Sequence, residues 1–164
     1  MTLSSAIMAS ELNSNLAIVD NEAEAISNLS AAFEGYLYNA SVLGITATVG
    51  SLSGAIAAMQ GAMTGLSTAG STAIQAGLTA AWGVIASAAS TIWATIPPPT
   101  GATPPPSLGT IAATLESVFT SNTAGGLNQS DSCQAIAAVL HPLMLGGICI
   151  LPPAPTGPGP QPIL

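Results

Sequence analysis

Few groups in this chain could do chemistry. There is one histidine, His141, and two cysteines, Cys133 and Cys149. The carboxylates are Glu11, Asp20, Glu22, Glu24, Glu34, Glu116 and Asp131. Nucleophilic catalysis needs a base within hydrogen-bond reach of its nucleophile. Asp131 and Cys133 precede His141 by more than two helical turns, so the three cannot meet on one helix. No Gly-X-Ser-X-Gly elbow is present. Cys133, His141 and Cys149 are too sparse for a metal-ligand set. Glu22 and Glu24 stand two apart and do not face each other on a helix; a solvated helical face accounts for them. Walker-type phosphate loops need a lysine, and there is none. The reading is therefore no enzyme, with no catalytic, metal-binding or cofactor-binding residue and no cofactor. His141 reads as a plain helix-end histidine. Cys133 and Cys149 read as two buried free thiols, with a disulfide between them as the alternative.

Composition narrows the partners. The 164 residues suit one small domain with tails. Only 4% are charged, where an ordinary domain has about a quarter. There is no lysine or arginine, and Gly35 to Leu115 holds no charged residue. Phosphate recognition needs cations, so no nucleic acid is expected as a partner. Anionic membrane surfaces offer no attraction either. Internal salt bridges to lysine or arginine cannot form, which leaves apolar packing and backbone hydrogen bonds to hold the core. The net charge of −7 favours solubility and would suit a basic partner. The first residues carry no basic region and no continuous apolar run, so no signal peptide is expected.

Helical periodicity dominates the chain. Leu12, Leu16, Val19, Ala23, Ile26, Ser30, Phe33 and Leu37 step by four and three, predicting one helix near 11–38. A linker follows at about 39–50, where Ile45, Thr46, Thr48 and Val49 allow a short extended piece. Leu52, Ile56, Met59, Met63 and Leu66 predict a helix near 52–68, with Ser51 or Ser53 as its cap. Gly61 and Gly65 share a face at a spacing that would let another helix approach closely. Gly70-Ser71-Thr72 marks the next break and cap. Ile74, Leu78, Trp82, Ile85, Ala89, Ile92 and Ile96 form the stripe of a third helix near 72–96, stopped by Pro97. Helices near 108–121 (Ile111, Leu115, Val118) and 131–141 (Ile136, Val139, Leu140) follow. Between them lies a turn at Asn122-Thr-Ala-Gly-Gly; Ser130 or Asp131 caps the last helix and His141-Pro142 ends it.

The expected fold class is mainly α: a small helical bundle with a Pro-rich internal strap and an extended Pro-rich C-terminal arm. Its parts are an N-terminal amphipathic helix and linker (1–50), a central Ala-rich helical hairpin (51–96), the strap (97–107), a C-terminal helical pair (108–145) and the arm (146–164). Ala73 to Ile96 is long enough to span a bilayer. Its large residues keep to one stripe, however, and no Lys or Arg flanks it, so a membrane is not expected. Trp82 and Trp93 lie three turns apart and read as core or subunit-interface anchors. The arm ends in Ile163 and Leu164 and is read as docking on a surface, a neighbour's or its own. The candidate interface residues are thus Leu78, Trp82, Ile85, Ile92, Trp93, Ile163 and Leu164.

Four stretches carry a resemblance. They are Gly61-Ala-Met-Thr-Gly-Leu-Ser-Thr-Ala-Gly, Ala73-Ile-Gln-Ala-Gly-Leu-Thr-Ala-Ala-Trp, Val118-Phe-Thr-Ser-Asn-Thr-Ala-Gly-Gly-Leu and Gly157-Pro-Gly-Pro-Gln-Pro-Ile-Leu. From about Leu52 onward the chain resembles small structural proteins of tailed bacteriophage particles, in composition and phrasing rather than in a diagnostic motif. The resemblance implies a virion component present in many symmetric copies, at the tail, baseplate, neck or capsid, assembled in the host cytoplasm. Its partners would be other virion proteins and copies of itself. The alternatives are a membrane-embedded, holin-like or pore-associated protein using 73–96, and a secreted filament or surface-layer subunit. The stripe Leu78, Trp82, Ile85, Ile92 is expected to be buried against protein. Ile85→Asp should abolish folding or assembly, because it would bury a charge with no lysine or arginine to pair with it. A normal circular dichroism melt together with normal assembly of that variant would show that this face is not core.

Overall fold

A computed structural model describes residues 3–15, 21–48, 50–106, 108–126, 128–152 and 158–164, apart from the side chains at 119, 122–124 and 143. The fold is mainly helical. Its elements are α1 (Ser5–Asn15), α2 (Glu22–Tyr38), β1 (Ser41–Val42), β2 (Ile45–Thr46), α3 (Ser53–Ala62), α4 (Leu66–Ala69) and α5 (Ser71–Ile92). Then come β3 (Gly101–Thr103), α6 (Leu108–Gly125), α7 (Gln129–Met144), β4 (Ile148–Ile150) and β5 (Gln161–Pro162). α5 is the hub, packing against α3, α4, α6 and β3. α1 lies between α2 and α7, and α7 also meets α6. One continuous apolar core joins all five predicted parts.

The helix predicted over 11–38 is two helices. Asn21 is extended (φ −137°, ψ 149°), and its side-chain oxygen accepts the Glu24 N–H at 2.8 Å while its amide donates to the Glu24 carboxylate. This reciprocal cap starts a new helix at Glu22 and takes Ala23 out of the stripe, leaving it exposed. Ile26, Ser30, Phe33 and Leu37 are buried as the spacing requires. Leu16, Val19 and Asp20 lie outside the described residues. Asn128 caps α7 by the same device with Asp131, three residues ahead of the predicted start. α7 then runs through Pro142, whose fixed φ is helical, and closes its last turn with Leu145 N–H on His141 O. Val139, expected inward, is exposed on it. α6 likewise runs on to Gly125, through all but the last residue of the turn predicted at 122–126.

The helix predicted at 52–68 stops at Ala62. Gly65 has φ +74°, a left-handed geometry that breaks the run before the short α4. Neither serine caps α3: Ser51 Oγ donates to Thr48 O and Ser53 Oγ to Gly50 O. The close helix approach is at Gly77 rather than Gly61 or Gly65. A Cβ on Gly77 would strike the Met63 side chain and lie 3.1 Å from Met59 O, whereas Gly61 faces open space. The α5 stripe is buried as expected from Ile74 to Ile92, but the helix ends one turn early. Trp93 is already extended, and Ile96 is 96% exposed.

The β segments are the main departure from an all-helical picture. β1 and β2 form a two-residue hairpin whose turn, Leu43 (φ 51°) and Gly44 (φ 80°), has the left-handed geometry that matches strand twist. Inside the predicted strap, β3 pairs antiparallel with β4, Ala102 opposite Cys149. The far end of the predicted arm is not free either. β5 pairs antiparallel with β4, Ile163 N–H donates to Gly147 O at 3.0 Å, and Leu164 N–H donates to Ser41 O at 3.0 Å while Leu164 O accepts from Ser41 N–H. Residues 158–164 therefore dock on their own chain, one of the two surfaces expected for the arm; 153–157 lie outside the described residues. Ile163 is 2% exposed. Ile163→Ala should cost the monomer about 2–5 kcal/mol, read as a lower urea midpoint at unchanged slope; a midpoint equal to the parent's would mean the arm contributes nothing to its own fold.

Candidate functional site

His141, both cysteines and several of the carboxylates are held in structural contacts. Tyr36 of α2 is 1% exposed, and its hydroxyl lies 2.8 Å from Nδ1 of His141, which is only part-buried on α7. The rings meet edge to face at 6.2 Å. Burial raises the Tyr36 phenol far above its ordinary range and lowers the His141 imidazole. Both groups are thus neutral near pH 7, and the contact is read as Tyr36 donating to an unprotonated Nδ1. The cavity beside Tyr36 is small and lined by Met8, Leu12, Ala32, Phe33 and Leu140, with no polar side chain other than the tyrosine's. The pair joins α2 to α7.

Cys133 and Cys149 are both buried and unbonded. Burial raises both thiols, Cys149 to about 11, and Cys149 Sγ lies 3.7 Å from Gly101 O. Such thiols are poor nucleophiles. Among the described residues no three His, Cys, Asp or Glu groups gather as a metal site.

Two carboxylates do work that sequence reasoning missed. Glu22 accepts from Gly65 N–H at 2.9 Å, from Ser67 N–H at 3.0 Å and from the Ser67 hydroxyl. It thereby caps α4 from α2. Glu116 accepts from Ser71 N–H at 3.0 Å and caps α5 from α6. Of the predicted cap Gly70-Ser71-Thr72, the residue at the cap position is Gly70, which makes no side-chain cap bond. Hydrogen bonds to Ser67 and Ser71 lower Glu22 and Glu116 below an ordinary 4.5. No spacing rule could have found these pairs, since each joins residues more than forty apart.

The predicted interface residues divide sharply. Leu78, Trp82, Ile85, Ile92, Trp93 and Ile163 are buried in the chain's own core. As folded, none of their side chains is free to meet a neighbour. Trp93 donates its indole N–H to Ala40 O at 3.2 Å, tying the end of α5 to the hairpin. A Cβ on Gly147 would lie 2.9 Å from the Trp82 ring and 3.5 Å from Ile163, so Trp82 seats the turn into β4. Leu164 alone stays at the surface, 45% exposed.

Around Leu164 a surface feature appears that the sequence did not announce. Leu164 and Ser41 exchange both backbone hydrogen bonds, and this one pair links two separate sheets, the three-stranded β3–β4–β5 and the two-stranded β1–β2, into a ribbon. Along β3, β4 and the last residues the side chains alternate: Ala102, Cys149, Leu151 and Ile163 are buried, whereas Ile148 (41%), Ile150 (37%), Pro162 and Leu164 are exposed; β1 is instead buried at both residues and β2 exposed at both. Thr103, Ile148 and Pro162 stand opposite one another in register, making a row across the outer face. The segments that build the ribbon contain none of the seven carboxylates.

Ser71–Ile92 is the one helix among the described residues long and apolar enough to cross a membrane. Nine of its residues are buried in this fold, so spanning a bilayer would require it to leave α3, α6 and β3. No protein-family model, curated protein or solved structure matches the chain.

Acid should loosen this fold in two stages. His141 titrates lower folded than its ordinary 6.5, so its neutral contact is intact above that value and is lost as pH falls through the folded pKa. The Glu22 and Glu116 caps are intact above 4.5 and are lost as pH falls through their lowered values. Melting temperature measured against pH should show both losses, and the Glu22→Gln/Glu116→Gln variant should lack the lower one. Tyr36→Phe should cost about 0.5–1.5 kcal/mol at neutral pH.

Proposed function

We propose that this chain is a structural subunit of a multi-copy protein assembly, and that the assembly is a tailed-phage virion, at the tail, baseplate, neck or capsid. The observation that carries the reading is the outer face of the β ribbon, where Ile148, Ile150, Pro162 and Leu164 lie open on segments with no charged side chain. Apolar surface rimmed by polar residues marks protein contact sites. The chemistry-bearing residues support the same reading by default. His141, Tyr36, Cys133, Cys149, Glu22 and Glu116 are engaged in packing or capping contacts within the fold. The resemblance to tailed-phage structural proteins gives the particular class of assembly, and the cation-free composition fits a role built on protein contacts rather than on DNA.

The test is co-purification. Particles released from cells that produce this chain should carry it through density-gradient banding in many copies per particle. Trypsin will not reveal it, because there is no lysine or arginine to cut. Digestion at Glu or at aromatic residues followed by mass spectrometry will. Bands that contain the other particle proteins but not this chain would refute the reading.

A further inference from the structure

We infer that Glu22 and Glu116 form a two-point latch on the turn of the α3–α5 hairpin, and that protonating the two carboxylates opens residues 64–72 while the rest of the fold stays closed. The device goes beyond the reading of the chain as an assembly subunit and does not depend on it.

α3 and α5 run antiparallel. A Cβ on Gly54 would meet Val84, and a Cβ on Gly77 would meet Met59 and Met63, so the two legs pair from the open end to the turn. The legs are closed by apolar packing, with Met59, Met63, Ile74 and Leu78 all buried. The turn between them is not. From Thr64 to Thr72 no side chain is buried. Leu66 alone in that stretch packs on the core, and only partly. Gly65 caps α4 and Gly70 caps α5, both at positive φ. A glycine has no side chain to satisfy the N–H groups that open a helix. Little within the turn itself holds it shut, which is the condition for local opening.

What holds the turn comes from outside it. Glu22, on α2, accepts the N–H groups of Gly65 and Ser67 and the Ser67 hydroxyl. Glu116, on α6, accepts the Ser71 N–H, and its carboxylate lies over Gly70, where a Cβ would strike it. The two carboxylates thus clamp the turn on either side of α4. Glu116 is exposed and Glu22 half-buried, so protons reach both directly.

No other described charge shares the load. α3, α4 and α5 carry no ionisable side chain. α1, packed on α2, brings Glu11, which lies over Gly35 towards the other end of that helix. On α2 itself, Glu24 is bonded to Asn21, Glu34 to Tyr38 and Tyr36 to His141. α7, packed on α6, brings Asp131, bonded to Asn128, the buried Cys133 and His141. Hydrogen bonds to Ser67 and Ser71 hold Glu22 and Glu116 below 4.5, so the latch is closed above that value and released as pH falls through the lowered ones. A protonated carboxyl accepts a weaker hydrogen bond than a carboxylate. The turn's N–H groups then pass to water, and no buried side chain has to leave the core with them.

Amide hydrogen exchange, followed residue by residue by NMR and expressed as protection factors, tests this. At pH 7, Glu22→Gln/Glu116→Gln should lose roughly tenfold or more of the protection at Ser67, Thr68, Ala69, Gly70 and Ser71, while 78–92 match the parent. In the parent the same local loss should appear on acidification from about pH 5 to about pH 3, and the variant should show no further loss at the turn over that range. Because a glutamine oxygen still accepts hydrogen bonds, Glu22→Ala/Glu116→Ala provides the stricter form of the comparison. Turn protection equal to the parent's in both variants overturns the inference. So does protection lost evenly through the turn and 78–92, or a variant unfolded by circular dichroism, since the carboxylates would then hold the whole fold rather than its turn.

Discussion

Seven carboxylates and no lysine or arginine set the terms on which this chain folds. Every acid must find a neutral donor or stay in water. The structure meets that constraint at helix N-termini, where backbone N–H groups lack partners and the helix dipole favours negative charge. Glu24 and Asp131 complete caps begun by Asn21 and Asn128 on their own helices. Glu22 and Glu116 reach across to cap α4 and α5, joining elements distant in sequence. What ion pairs do in other domains is done here by carboxylates on amides, so it depends on where helices begin.

With electrostatics confined to helix ends, apolar packing carries the interior, and α5 is its axis. Ile74, Leu78, Trp82, Ile85 and Ile92 are all at most 3% exposed. The helix is rich in Ala, Ser and Gly on its other faces, so neighbours approach closely, most of all at Gly77, where there is room for Met63 only because there is no Cβ. The two tryptophans link this axis to the β ribbon. Trp82 lies under Gly147 and Ile163, and Trp93 bonds to Ala40 beside the hairpin. The ribbon therefore inherits its position from α5. That is why a protein this helical can present a β surface without charged side chains.

The residues a chemist would notice first are the ones the fold uses as fasteners. His141 accepts from Tyr36 and joins α7 to α2. Cys149 closes the underside of β4 against Gly101. The exposed apolar residues of the ribbon belong to segments rich in proline and glycine.

The sequence by itself determined the helical class, the stripes of α2, α3 and α5, and the burial of both cysteines, because a 3.6-residue period and apolar content are local properties that a string of residues displays. It also fixed the absence of lysine and arginine, and with it the need for neutral capping. What it could not display were contacts between distant residues. The cap at Asn21 was masked by the unbroken stepping of Leu12 to Leu37. Glu22 on α4 and Glu116 on α5 depended on helix ends being brought together. The proline segments read as extended, but whether they stood free or paired was invisible. Strands of two and three residues leave almost no period to read, and their partners lie about fifty residues away for β3 and β4, and more than a hundred for Ser41 and Leu164. Only the tertiary structure decided that pairing. By choosing which side of each strand faced the core, it buried Ile163 and left Ile148, Ile150 and Leu164 open.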